Sequence, residues 1–201
     1  MIDKEKIAFH VRGLLSALGE DPGREGLRET PERVARMCEE LFRGIGYTNR
    51  EIAEKYAKTF SDDEECVNRE GGYVLVSGIP MFSFCEHHIM LMYNMTVSVI
   101  YRPVDKVIGL SKIARIAEMV GHRLQLQERI GADIAEVMRI ATGSDDVGVI
   151  IEAEHGCMTA RGIKKPGAKT RTTTFRGVFE TDPAARQEAL WLLCGKPARE
   201  Q

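Results

Sequence analysis

Met95-Thr96-Val97-Ser98-Val99-Ile100-Tyr101 is the stretch that decides the fold. Met95, Val97, Val99 and Tyr101 alternate with Thr96 and Ser98, the period-two pattern of a strand. Upstream, Tyr73-Val74-Leu75-Val76 is a second, short strand. Downstream, residues 147–154 form a β-rich run, and Thr170-Arg171-Thr172-Thr173-Thr174-Phe175 is strand-like. Between the two pairs the period changes. Ile113, Ile116, Ala117 and Val120 recur at helical spacing after Gly109-Leu110-Ser111-Lys112, and Ile130, Ile134, Val137, Met138 and Ala141 do so up to Gly143. Asp182-Pro183 opens a last helix containing Leu190 and Trp191. Hairpin, helices, hairpin, helix is an α+β order with an antiparallel four-stranded sheet and helices on one face. Exposed edges of such a sheet favour oligomerisation.

The chain before the sheet is helical. Ile7, Val11, Leu14, Leu15 and Leu18 make one apolar stripe that stops at the breakers Gly19 to Gly23. Thr30-Pro31-Glu32 reads as a cap, a proline at the first helical position and an acidic first turn, followed by Val34, Met37, Cys38 and Leu41. Asn49 is the expected cap of a short third helix with Ile52 and Tyr56, and residues 61–72 read as a loop. The expected division is a helical region over 1–60 and a sheet-bearing domain over 61–201.

Composition narrows the function. A chain of 201 residues with 43% hydrophobic residues, 29% charged residues and net charge −2 carries no polycationic surface for nucleic acid. No apolar run reaches membrane-span length, and residues 1–6 do not read as a signal peptide. Five scattered cysteines fit a reducing cytoplasm better than a disulfide framework, which leaves metal binding as a use for some of them.

Cys85-Glu86-His87-His88 and His155-Gly156-Cys157 carry the chemistry. Cys-x-x-His lets two side chains grip one ion, and a distant cysteine adds a third ligand. If residues 147–157 form one strand, His155 and Cys157 share a face with Val149 and Ile151. Cys85 and His88 meet one ion only where the chain turns, which points His87 elsewhere. The chosen ligands are Cys85, His88 and Cys157, and sulfur-rich ligation favours Zn2+. A closed site with His87 or His155 as fourth ligand stays open. With both free, two imidazoles flank the metal, which is equipment for metal-assisted hydrolysis. Cys38, Cys66 and Cys194 lack such neighbours and receive no role.

Ser111 stands at an expected helix cap with Lys112 and Arg115 on the first turn, a seat for phosphate. Arg161 and the basic run Lys164, Lys165, Lys169 and Arg171 add positive charge, and Glu128 can accept hydrogen bonds from a base such as guanine.

Taken together, Gly19 to Leu27, Thr30-Pro31-x-Arg33-Val34, Cys85-Glu86-His87-His88, Val107 to Lys112, Gln127-Glu128-Arg129 and His155-Gly156-Cys157-Met158-x-x-Arg161-Gly162 resemble the GTP cyclohydrolase I family. The resemblance implies a tunnelling fold whose subunits assemble into a β-barrel, usually as a homodecamer with active sites between subunits. It implies conversion of GTP and water to 7,8-dihydroneopterin triphosphate and formate. It implies Cys85, His88 and Cys157 as zinc ligands and His87 and His155 as the acid–base pair. Gln127 and Glu128 would hold guanine, and Ser111, Lys112, Arg115 and Arg161 would meet the ribose and triphosphate. Competing readings are a related cyclohydrolase with a different product and an inactive zinc-stabilised subunit. One departure stands out. Where many members have Pro-Phe and then Gly-Lys after the second histidine, this chain has Ile89-Met90-Leu91-Met92-Tyr93-Asn94-Met95, one residue longer, with Asn94 in place of the glycine.

Overall fold

A computed structural model describes residues 2–61 and 72–194. Cys66 and most of the expected 61–72 loop lie outside the described residues. The chain divides into two compact units, Met1–Gly46 and Tyr47–Gln201.

The first unit is a pair of helices, α1 (Lys4–Ala17) and α2 (Thr30–Leu41). Asp3 caps α1 by accepting from the Lys6 backbone N–H at 2.9 Å, and Lys4–Glu39 and Arg12–Glu32 ion pairs tie the two helices together. The expected cap of α2 is corrected by one residue: Glu29 holds that position without a side-chain bond, and Thr30 is already helical. No residue of α1 is buried; Leu14 and Leu18 of the apolar stripe are exposed, and so is Phe9 outside it.

The second unit begins with α3 (Asn49–Tyr56). Thr48, not Asn49, caps it, in a reciprocal capping box with Glu51. Asn49 instead turns to the body of the unit, donating to Asp133 at 3.0 Å and accepting from Arg123 at 2.9 Å.

Strands β2 (Val74–Cys85) and β3 (Met90–Tyr101) form a long hairpin, far longer than the four residues expected for the first strand. Strands β6 (Val147–His155) and β7 (Lys169–Phe175) form the second hairpin. With the two-residue β5 (Leu124–Gln125) the sheet order is β5-β2-β3-β6-β7, antiparallel except for the β2–β5 contact. Strands β1 (Thr59–Ser61) and β4 (Lys106–Ile108) pair separately.

Helices α4 (Leu110–Gly121) and α5 (Gln127–Thr142) cover one face of the sheet. Their Ile113, Ile116, Ile130 and Ile134 are fully buried against Val97, Val99, Val149 and Ile151. Each such side chain contributes roughly 1.5–3 kcal/mol. Gly143 ends α5 in the left-handed region at φ 76°, a conformation open to glycine at little cost. The expectation of helices on one face only is corrected. Ile100 and Ile150 point to the opposite face, where α7 (Val178–Thr181) and α8 (Pro183–Cys194) bury Phe179, Ala185, Ala189 and Leu193 with them. Asp182 caps α8 as expected, accepting from Ala184 N–H at 2.8 Å.

Two bulges decide which side chains face the α4–α5 core. In β2 the register slips between Val76 and Ile79, where Gly78 takes φ 68°. The inward set therefore changes from Val74 and Val76 to Ile79, Ser83 and Cys85, which are buried. In β3 the extra residue sits between Tyr93 and Thr96, with Asn94 at φ 47° and its amide donating to Glu154 at 3.0 Å. Asn94 thus occupies a bulge inside a strand, and the parity change turns Met92 and Met95 both inward, each 1% exposed.

Candidate functional site

Cys85 is the last residue of β2, 5% exposed, and the chain turns at once through residues 86–89. Ile89 N–H returns to the Cys85 carbonyl at 2.9 Å, and Glu86 N–H bonds the Gln125 carbonyl of β5 at 3.0 Å. This tight turn brings His88 round to the side of Cys85. From the other hairpin, β6 stops at His155 and the chain enters a single helical turn, α6 (Gly156–Thr159). The expectation that Cys157 continues the strand is corrected. A Cβ at Gly156 would meet the Leu91 carbonyl at 3.1 Å and Met90 Cε at 3.4 Å, so glycine lets the chain pass close beneath β3 as it turns.

The outcome is a cluster: donor atoms of Cys85, His88 and Cys157 all lie within 4.8 Å of one another. Three side chains from two hairpins, one thiol buried and one half-buried, form a group that could hold a metal ion. The donor chemistry fits a borderline-soft cation. Burial, then the charge of neighbouring Cys85, push the Cys157 thiol above its ordinary value. Burial therefore favours the protonated Cys157 thiol, and a bound cation would take the place of that proton.

The other candidate residues fall into two groups. Around the cluster, His87 Nδ1 lies 3.7 Å from Cys85 Sγ, and Arg161 reaches His88 Nε2 at 2.9 Å. His155 bonds Gln127 Oε1 through Nε2 at 2.7 Å, and burial lowers its pKa against the opposing pull of Glu128. Gln127, the first residue of α5, is buried, whereas Glu128 is exposed. Ser111, Lys112 and Arg115 form the second group, on the first turns of α4. Among the described residues no hydrogen bond or ion pair joins them to the Cys–His–Cys cluster. The expected Ser111 cap is corrected: Gly109 holds that position, and Ser111 lies inside the helix with its side chain exposed. Arg115 opens onto a cleft of about 350 Å3 with Met81, Phe82, Glu118 and His122. Lys169 and Arg171 of the basic run are held by Glu152 instead of standing free.

Sequence reasoning missed two supports. Glu86, inside the tetrapeptide itself, forms a two-pronged ion pair with Arg129, at 2.5 and 3.3 Å. Behind the turn, Asp133 accepts from Arg123 at 3.0 Å, Gln125 at 2.9 Å and Asn49 at 3.0 Å, which anchors β5 beside Cys85. The only sequence trace of the first is a charge pair in motifs 43 residues apart; the second leaves none.

The family model described as GTP cyclohydrolase I matches residues 7–193. A protein named GTP cyclohydrolase 1 from Clostridium botulinum (strain Kyoto / Type A2) is 60% identical over 192 residues, covering 95% of this chain and 97% of the relative. One of the same name from Clostridium beijerinckii is 57% identical over 192 residues, covering 96% and 98%. A third, from Clostridium acetobutylicum, is 60% identical over 181 residues, covering 90% and 92%. Matched by the family model over nearly its whole length and by relatives at about 60% identity, the chain belongs to the GTP cyclohydrolase I family.

Proposed function

We propose that this chain is a zinc-dependent GTP cyclohydrolase I. It opens the imidazole ring of GTP hydrolytically, releases formate and yields 7,8-dihydroneopterin triphosphate, the entry to tetrahydrofolate and pterin biosynthesis. The observation that carries this is the meeting of Cys85, His88 and Cys157 within 4.8 Å, beside a half-buried His155.

Cys85, His88 and Cys157 would hold the metal. Zinc bound there would supply Lewis acidity and make hydroxide available near neutral pH. His155 delivers a proton to the ring nitrogen as the C–N bond breaks, and the exposed His87 exchanges protons at the mouth of the site. Burial favours the neutral form of the His155 ring, which suits a group that takes up a proton and gives it back. Glu128 accepts from the guanine N–H groups, with Gln127 beside it. Arg161, Lys112, Arg115 and Ser111 bind the triphosphate and ribose. The site is completed between subunits. We place the chain in a homodecamer whose tunnelling-fold domains, residues 61–201, close into a β-barrel, with residues 1–60 as a helical extension. The exposed Phe9, Leu14 and Leu18 support such assembly. Reduced cysteines suit the cytoplasm. Among the described residues no helix is long and apolar enough to cross a membrane.

The test is incubation of zinc-replete protein with GTP while pterin absorbance and formate are followed. Both are expected to rise together. Turnover of GTP without a pterin chromophore would indicate a cyclohydrolase with another product, and absence of formate an inactive subunit.

A further inference from the structure

Gln127 is 1% exposed at the start of α5, and its amide has only one workable orientation. Its Nε2 donates to the backbone carbonyls of Ile151 at 3.1 Å and Thr170 at 3.0 Å, and lies 3.3 Å from Thr172 Oγ1. Ile151 and Thr172 are register partners in the β6–β7 ladder, so both strands grip this one nitrogen. Carbonyl oxygens only accept hydrogen bonds. Rotating the amide would press its oxygen against two carbonyls in a buried site and take from both the donor they now share.

The consequence falls on His155. Gln127 Oε1 faces His155 Nε2 at 2.7 Å, and an amide oxygen cannot donate. The hydrogen on that bond therefore belongs to the imidazole, and in the neutral ring the lone pair is left on Nδ1. The ring is also held in place, because Gln127 is tied to β6 at Ile151, four residues before the histidine it touches.

We propose that Gln127 is a positioning residue that selects the Nε2–H tautomer of His155 and leaves Nδ1 as the atom that moves the proton during ring opening. This deepens the reading of His155 as the acid–base group and rests on it. Gln127 then acts through His155, and recognition of the base falls to Glu128. The step balances: Nδ1 first takes up a proton from solvent to give the imidazolium, Nδ1–H then gives that proton to the guanine ring nitrogen, the C–N bonding pair stays on that nitrogen, and Nδ1 recovers its lone pair while Nε2–H stays bonded to Gln127.

Ring-15N-histidine NMR of the zinc-loaded full chain, at a pH above the imidazole range, reads the tautomer directly. His155→Gln identifies the His155 signals. The expected pattern is a protonated Nε2 and an unprotonated Nδ1, and an unprotonated Nε2 overturns the proposal. Gln127→Met keeps the length and removes the acceptor. Its kcat for pterin formation is expected to fall by about 10- to 100-fold with KM for GTP within about threefold of the parent. A raised KM with unchanged kcat would make Gln127 a substrate contact and overturn the proposal. If the Met variant does not fold, the spectrum of the parent protein decides alone. Failure of the cyclohydrolase reading shows separately, as parent protein that makes no pterin, while the spectrum still reports which nitrogen carries the hydrogen.

Discussion

Glu86 and Arg129 are joined by two hydrogen bonds, Oε2 to Nη1 at 2.5 Å and Oε1 to Nη2 at 3.3 Å. Glu86 follows the buried Cys85, and Arg129 follows Glu128 on the first turn of α5. The pair therefore fastens the proposed metal turn to the proposed guanine contact. Both side chains are substantially exposed, so solvent screens their attraction and the pair adds little to folding. Arg129→Ala should leave the thermal midpoint unchanged while lowering kcat/KM for GTP by about 3- to 30-fold, since small displacements of positioning groups are costly to rate. Steady-state kinetics beside a melting curve checks this; an equal loss of stability and activity would contradict it.

Cys157 and His155 are two residues apart and should separate cleanly by mutation. Cys157→Ala removes one of three donors and should abolish stoichiometric zinc, read by metal analysis of the purified protein. His155→Ala should retain zinc and lose about 10²- to 10⁴-fold in ring opening. A zinc-free His155→Ala protein would instead make His155 a fourth ligand and the site closed.

Asp133 collects hydrogen bonds from Arg123, Asn49 and Gln125, and its ion pair with Arg123 is only 14% and 19% exposed. Asp133→Ala leaves a largely buried guanidinium without its carboxylate. A loss of about 2–4 kcal/mol in urea unfolding is expected. Asp133→Asn, which keeps the shape and loses the charge, should cost less. Equal costs for the two variants would argue that packing, not the ion pair, is what matters.

Glu152 gives the chain an acid-sensitive contact. Lys169 first, then Arg171, hold its carboxyl below the ordinary 4.5 by hydrogen bonding, at 2.9 Å for Lys169 Nζ and 3.1 Å for Arg171 Nε. A carboxyl whose pKa falls on folding stabilises the folded state above the unfolded value and loses that contribution as pH drops through the folded value. The stability difference between the parent chain and Glu152→Gln should be constant above pH of about 5 and shrink on acidification below the ordinary carboxyl range. Denaturant midpoints across that series measure it. A difference that grew toward acid would carry the wrong sign.

Much of this was legible in the residues alone. The alternation through Met95 to Tyr101 and the helical spacing of Ile113 to Val120 depend on period, which is local. Both strands and helices followed. Cys85, His88 and Cys157 stood out because ligand spacing and residue type are themselves local facts, and the chain brought the three together within 4.8 Å. What failed was the continuation of a pattern past its break. Cys157 sits in a helical turn because the chain leaves β6 beneath Leu91, and the first hairpin strand runs twelve residues because Gly78 absorbs a bulge that interrupts its alternation.

The amino-acid sequence by itself determined the elements, their order and the donor atoms for a metal, since each follows from propensity, period or chemical type. Tertiary structure alone decided direction: that Asn94 takes up the extra residue as a bulge, that the last helix packs on the sheet's second face, and that Gln127 turns its oxygen to His155. The reason is physical. An amide side chain is both donor and acceptor, and only carbonyls brought from residues 24 and 43 positions away determine which end faces the histidine.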